Sequence, residues 1–415
     1  MEKYNRYKDL KNRIDFSYHG IHFNRVAAAY IWDVANNSEG KRFGVKSIVG
    51  FFAAYTPNFK RIPAGKTIFS TFGIYKRRDH KELNKAVLKK LDCDKVYSNE
   101  IFDWKYRLSF HPIIIFKVLG FISKAGLKDV KYTDRIAMAS KYVQYVNSLL
   151  NIEKIDFSGI TKYLSQSSVS NYENLLTQYL KTKGVETLSL TEGIYMVTHF
   201  NIPIDCVQFE NFDADKYLMW GQSSVDSFAE HISRDRLFVA GYPKDNVLQK
   251  MKKNNPFKEC MVLLSREIFR ESNKRLLDIL AKDSDQVHYH LKLHPGDSPS
   301  YYENYVSQYK MSIIPTQKTI NEALNKEQFD FAIAVNTNTY YEALMRGVPC
   351  MRFCDGSFEL PAGYDDIFQT QDEYVSKLNK IKTMSLTDEY QEKINEILTY
   401  CIGVGVDNYK ELICG

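Results

Sequence analysis

Two segments carry the side chains best suited to holding a phosphate. One is Leu291-Lys292-Leu293-His294-Pro295-Gly296-Asp297, the other Asn336-Thr337-Asn338-Thr339-Tyr340-Tyr341-Glu342-Ala343-Leu344. Each follows an apolar run that reads as a buried strand. Each therefore delivers polar groups at a strand's carboxyl end, where open α/β sheets bind ligands. His294 can donate to a phosphate oxygen, and Pro295 fixes the chain direction just after it. Strand alternation puts His288, His290, Lys292 and His294 on one face, against Val287, Tyr289, Leu291 and Leu293 on the other. Thr337, Asn338 and Thr339 open a helix expected over Tyr340 to Arg346, whose exposed N–H groups favour an anion. Helix capping alone explains one of those side chains. The run of four amide and hydroxyl groups fits a phosphate held by hydroxyls and backbone donors together. Glu342 is placed either to meet a ribose hydroxyl or to face solvent. The expected chemistry is a diphosphate or phosphodiester cradle, in an enzyme that uses a nucleotide-activated donor.

The elements that must position these groups alternate strand with helix. In the second half, strands are expected at 216–221, 237–243, 260–265, 287–293, 329–335 and 348–353, with a helix from about Ser272 to Leu280. In the first half, apolar runs at 47–54, 66–72, 95–97 and 187–190 read as strands, and amphipathic stretches at 133–150 and 167–183 read as helices. Such alternation implies parallel sheets with right-handed crossovers. The 415 residues leave room for two cores. The expected fold is α/β GT-B: two Rossmann-like domains facing a central cleft. Residues 1–243 would form the acceptor side and 257–386 the donor side, joined by a Lys/Asn-rich linker from Pro243 to Pro256. A C-terminal helix in 387–415 would pack back across the cleft.

Composition narrows the partners. A hydrophobic share of 44% with 26% charged residues is that of a folded chain, and a net charge of +6 without a recognisable module argues against nucleic acid. The dense basic cluster, Lys76-Arg77-Arg78 followed by Lys81, Lys85, Lys89 and Lys90, reads either as a solvated helix face or as attraction to anionic lipid or acidic glycan. Seven scattered cysteines with no CxxC pair suggest neither a zinc site nor a disulfide framework. No leader-like apolar segment opens the chain, and Ile113–Ile122 is too short to span a bilayer. A cytoplasmic protein, peripheral at most to the inner face of the membrane, is expected. Neither an Asp-x-Asp motif nor a His/Cys/carboxylate cluster with metal-ligand spacing is expected, and so no metal or other cofactor is expected.

The two phosphate-type segments resemble the His-Pro and Ser/Thr motifs of bacterial GT-B transferases of surface polysaccharides. The style is nearest the CMP-dependent sialyl-, polysialyl- and Kdo-transferases, with the CDP-glycerol polymerases of teichoic acid further off. The resemblance covers about 130 residues of the C-terminal half and the rest only in outline. It implies that His294, Thr337 and Thr339 hold a cytidine nucleotide's phosphate. It also implies an acidic-acidic-Gly motif in the N-terminal half whose first acid is the general base. The matching place is Thr191-Glu192-Gly193, after the strand at 187–190. Its first position is Thr, so Glu192 is the carboxylate left for the role, unless it is simply a turn glutamate. The segment Ser17-Tyr18-His19-Gly20-Ile21-His22-Phe23-Asn24-Arg25 offers His19 and His22 as alternative bases and Arg25 as a carboxylate ligand.

The implied function is transfer of a sugar from a nucleotide-activated donor, CMP-sialic acid or CMP-Kdo by preference, to a bacterial glycan or glycolipid acceptor. The donor would rest on His294, Pro295, Thr337, Asn338, Thr339, Glu342 and Lys292. The competing readings are a UDP- or CDP-donor transferase, a sugar epimerase of the same shape, and a glycan-binding subunit without catalysis.

Overall fold

The computed structural model describes residues 2–36, 44–73, 78–91, 93–195, 207, 210–229, 231–244, 247–251, 257–324, 328–385 and 387–415. The basic triplet 76–78 lies outside the described side chains. The elements that matter for the site in the first half are α1 (Val45–Gly50), β1 (Ala53–Thr56), β2 (Ile68–Phe72), α2 (Arg78–Lys90), β3 (Val96–Glu100), β4 (Lys105–Leu108), α3 (Pro112–Lys124), α4 (Tyr132–Ile152), β5 (Lys162–Ser165), α5 (Asn171–Thr182), β6 (Glu186–Leu190), β7 (Lys216–Met219) and β8 (Leu237–Val239). Those of the second half are β9 (Glu259–Leu263), α6 (Arg270–Ala281), β10 (His288–Lys292), β11 (Met311–Ile313), β12 (Phe331–Val335), α7 (Thr339–Met345), β13 (Cys350–Phe353), β14 (Ile367–Phe368), α8 (Asp388–Ile402) and α9 (Tyr409–Cys414).

They form two six-stranded sheets, ordered β8-β7-β6-β5-β2-β3 and β11-β10-β9-β12-β13-β14, with every neighbouring pair parallel. This is the two-domain Rossmann-like arrangement called GT-B. Central strands such as Phe331-Ala332-Ile333-Ala334-Val335 are buried throughout, because helices cover both faces of a parallel sheet.

One expected strand is corrected. Residues 47–54 split into α1 and the start of β1, and β1 pairs antiparallel with β4 outside the main sheet. The long helix α4 decides this split. Ser140 Oγ donates to the Ser47 carbonyl, and Asn147 Nδ2 donates to the carbonyls of Ala53 and Ser109 at 3.4 and 3.0 Å. Strands β5, β11 and β14 had no sequence expectation, being short or interrupted by polar residues.

The halves share structure beyond the cleft. Trp220 and Tyr242, which follow β7 and β8, belong to one apolar cluster with Tyr340, Leu344, Ile394 and Leu398 of the second half. The chain leaves α8 at Gly403, and α9 then buries Tyr409 and Ile413 against Ile68, Leu164 and Leu188 of the first sheet. Glycine is required at this crossing. Gly241 has φ +96°, and a Cβ there would lie 1.9 Å from the Val406 carbonyl oxygen. The described part of the Lys/Asn-rich linker also packs on the second half: Gln249 N–H donates to Met345 O at 2.8 Å, and Met251 is buried.

Candidate active site

The phosphate-type cradle sits at the topological switch point of the second sheet. The chain leaves β9 towards β10 and β11 and returns on the other side as β12, so the loops after β9 and β12 part at their carboxyl ends. Ser265 Oγ donates to the Asn336 carbonyl at 3.2 Å and closes the base of that crevice. Asn336 has φ 37°, a left-handed turn that Asn tolerates well. Beyond it the Thr337 and Thr339 hydroxyls stand 2.9 Å apart, and Thr337 Oγ1 accepts the Thr339 N–H at 3.3 Å. Asn338 holds the N-cap position without a side-chain capping bond. Because α7 has only seven residues, an anion at this turn would depend on local donors rather than on a helix dipole.

His294 is half-buried, while Pro295 and Gly296 are exposed. Its Nδ1 accepts the Gly296 N–H at 3.2 Å. A neutral ring in that arrangement carries its proton on Nε2, the nitrogen a phosphate would use. Lys292 is buried at the end of β10, its Nζ 3.4 Å from the Leu293 carbonyl, and burial lowers its pKa. It makes no ion pair with a described residue, so an anion in the crevice would meet an ammonium without a counter-charge.

A hydrogen-bond chain absent from the sequence reading ties these turns together. Tyr302 OH donates to Asp297 Oδ2 at 2.6 Å, and Asn273 Nδ2 donates to Tyr302 OH at 3.1 Å and to Ser265 O at 3.0 Å. Asn273 Oδ1 accepts the Ser265 N–H at 3.1 Å. The His294 turn and the Asn336 turn are thereby linked through buried side chains, which is how polar networks fix a site before its ligand arrives.

Glu192 faces this cradle from the first sheet. Thr191 Oγ1 donates to the Leu218 carbonyl at 3.2 Å, so that threonine ties β6 to β7. The Glu192 carboxylate, partly exposed, lies 3.3 Å from Nε2 of the buried His80 on α2. Gly193 abuts the cradle: a Cβ there would lie 2.3 Å from Asn338 Nδ2. The structure thus brings the Glu192-Gly193 turn directly against the Thr337-Asn338-Thr339 turn. A second carboxylate, Glu173, is fully buried nearby and accepts the N–H groups of Gln166 and Ser167 at 3.0 and 2.9 Å and the Thr71 hydroxyl at 3.1 Å. Burial, with a smaller push from Glu192, raises its pKa to about 8. His80 and Glu173 gave no motif in the sequence: His80 meets Glu192 from far along the chain, and Glu173 is held both by the nearby Gln166 and Ser167 N–H groups and by the remote Thr71 hydroxyl.

Other proposed site groups are used differently. Glu342 Oε1 accepts the Tyr242 hydroxyl at 2.9 Å, which ties α7 to the segment after β8. His19, in the turn, and His22, on the second strand, belong to a small hairpin at 17–22 that packs at the C-terminal end of α5, where Gly20 meets Thr182. The Glu192 turn lies at the carboxyl ends of the strands, beside the opposite end of α5, about 18 Å of helix away. The structure does not bring either histidine to Glu192. Each has its own carboxylate instead: His19 Nδ1 to Glu153 at 2.8 Å and His22 Nδ1 to Asp15 at 3.2 Å. Arg25 pairs with Asp213.

The sequence expectation about metal-ligand spacing is corrected at two places. Asp-x-Asp triplets do occur. In Asp213-Ala214-Asp215, Asp213 holds Arg25, while Asp215 holds Lys181 at 2.8 Å and the Thr187 N–H at 2.9 Å. The parallel pairing of Glu259 with His288 also assembles Glu259, His288 and His290, the one group among the described residues whose three ligand atoms lie within 4.8 Å of one another. It stands at the amino ends of β9 and β10, the far end of the sheet from His294. His290 is bonded at both ring nitrogens, to Glu259 at 2.6 Å and to Ser312 at 3.0 Å.

No family model matches the sequence, and no curated protein matches it. Among solved structures the chain is similar to Anabaena Alr3699/HepE in complex with UDP-glucose, at 11% identity and TM-score 0.48, covering 84% of this chain and 98% of that one. It is also similar to the UDP-GlcNAc 2-epimerase of Methanocaldococcus jannaschii, at 12% identity and TM-score 0.42 over 80% and 99% of the two chains. The wall teichoic acid polymerase TagF is matched at 14% identity and TM-score 0.42 over 84% and 86%. Likenesses this distant leave the chemistry to the site itself.

Proposed function

We propose that this protein is a metal-independent glycosyltransferase that moves a sugar from a nucleotide-activated donor, CMP-sialic acid or CMP-Kdo by preference, to a bacterial surface glycan. The observation that carries the reading is the approach of two turns across the cleft, Glu192-Gly193 from one sheet and Thr337-Asn338-Thr339 from the other. On the donor side the His294 Nε2–H, the Thr337 and Thr339 hydroxyls and the Lys292 ammonium meet the charge that builds on the leaving phosphate. Glu342 and Asn338 line the same turn, the former bound to Tyr242. On the acceptor side Glu192 takes the proton of the attacking hydroxyl, and His80 holds its carboxylate in place. The preference for cytidine rests on the resemblance of the His294-Pro295 and Thr337-to-Thr339 turns to motifs of CMP-dependent transferases.

The test is calorimetry with CMP, CDP, UDP, GDP and ADP, with EDTA present throughout. CMP or CDP should bind, and at about 100 times its dissociation constant should stabilise the protein by about 2.7 kcal/mol. Tighter binding of UDP would move the donor to the uridine class. Conversion of a UDP-sugar with no acceptor present would replace transfer by epimerisation. Binding that needs added manganese or magnesium would overturn metal independence.

A further inference from the structure

The first half carries an apolar surface that nothing in the described chain covers. On α1, Val45, Ile48 and Val49 follow one another at helical spacing and are all exposed, Val45 by 77%. On α3 the buried stripe Ile114, Val118 and Ile122 faces α4, and Ile113 and Phe116 stand exposed beyond it, Phe116 by 74%. Between them Phe52 and Phe110, both exposed, hold their rings 5.5 Å apart, and Leu108 of β4 is 87% exposed. α1, β1 and α3 all pack on the same helix, α4. Their outward residues therefore make one surface, and soluble proteins seldom leave such a surface open without a partner.

The charge on this surface identifies the partner. Segments 44–52 and 104–128 contain Lys46, Lys105, Arg107, Lys117, Lys124 and Lys128 and no Asp or Glu, the nearest acids being Asp103 and Asp129 at the ends of the second segment, the latter paired with Arg13. All six are exposed, and none forms an ion pair with a described residue. A second copy of this chain would set these cations against themselves, since a two-fold interface pairs each patch with its own image. Large apolar side chains rimmed by unpaired cations suit the interface of a negatively charged bilayer. Among the described residues no helix is long and apolar enough to cross a membrane.

We propose that α1, the β1–β4 hairpin and the exposed side of α3 form a docking face for anionic lipid bilayers. The apolar side chains enter the headgroup boundary while the six cations meet phosphate groups. The face begins beside the carboxyl ends of β2 and β3, where Phe102 N–H donates to Gly73 O at 3.1 Å, at the same end of the sheet as Glu192. On the transferase reading proposed above, a docked membrane would bring a lipid-carried acceptor to the Glu192 side of the cleft.

The test is co-sedimentation of the full chain with phosphatidylcholine vesicles, with and without phosphatidylglycerol. Binding is expected to the anionic vesicles and to weaken with salt. Leu108→Glu/Phe116→Glu and Lys105→Glu/Arg107→Glu should each weaken it by about tenfold or more, since each reverses or adds two charges at the interface. Both pairs are exposed, so unchanged melting temperature and nucleotide affinity would show that the fold and the cleft are intact. Wild-type protein that ignores anionic vesicles, or variants that bind them as wild type does, would overturn the proposal. So would a wild-type dimer that these substitutions dissociate. Vesicle binding needs no nucleotide, so its failure is separate from any failure of the transferase reading.

Discussion

The two walls of the cleft are built on opposite principles. On the second-domain wall, hydroxyl, amide and imidazole groups are locked by a chain of buried bonds, Asp297 to Tyr302 to Asn273 to Ser265 to Asn336. On the first-domain wall stand two carboxylates: Glu192 after β6, partly exposed against His80, and Glu173 in the first turn of α5, buried among the N–H groups that follow β5. The second-domain wall is arranged to receive an anion without moving, whereas the first-domain wall concentrates carboxyl and imidazole groups that can exchange protons. The proposed sugar transfer asks for such a division, because charge on the leaving group must be met at once and the base must stay reachable.

The largest expected effect isolates the acceptor wall. Glu192→Gln should lower turnover by about 10² to 10⁴-fold and leave nucleotide affinity almost unchanged, which steady-state rates and calorimetry on the same preparation would show. His19→Ala and His22→Ala should leave turnover near wild type, because both sit at the other end of α5. If either histidine variant abolishes turnover while Glu192→Gln does not, the comparison collapses and the base belongs to the N-terminal hairpin.

The next effect isolates the donor wall. His294→Ala removes a charge-assisted hydrogen bond worth roughly 1.5–3 kcal/mol, so nucleotide affinity should fall by about 10- to 150-fold. Unchanged cytidine-nucleotide affinity in that variant would remove His294 from the site.

The smallest effect sharpens the contrast between the two carboxylates. Burial pushes the Glu173 pKa up to about 8 in the folded protein, whereas the unfolded chain releases this proton in the ordinary glutamate range. Between those values the unfolded state binds fewer protons, so stability falls as pH rises. The difference in melting temperature between wild type and Glu173→Gln should therefore shift against the wild type from pH 5 to pH 8. A difference independent of pH would show that hydrogen bonding, not burial, governs this carboxyl.

The strand-end turns of the second domain were legible in the sequence because their signals are local. An apolar run of five residues, such as 331–335, marks a buried strand, and the polar residues immediately after it mark a strand-end turn. The Pro-Gly pair after His294 and the Gly347-Val348-Pro349 stop after α7 bound these turns within a few residues. The alternating elements likewise carried the fold class, two parallel sheets with helices between their strands.

Tertiary structure decided the rest, because the deciding contacts are distant in the chain. The apolar run at 47–54 has no period that separates helix from strand, and Ser140 and Asn147 of α4 settled its conformation. Glu192 acquired its partner from His80 on α2, and Gly193 is small because Asn338 of the other domain fills the space where a side chain would go. Asn273 and Tyr302 look like ordinary polar residues in a list of letters. Only the packing of α6 against the ends of β9 and β10 turns them into the frame of the donor wall. Sequence fixes what is set by neighbours along the chain; partners brought in through folding set the geometry on which the chemistry depends.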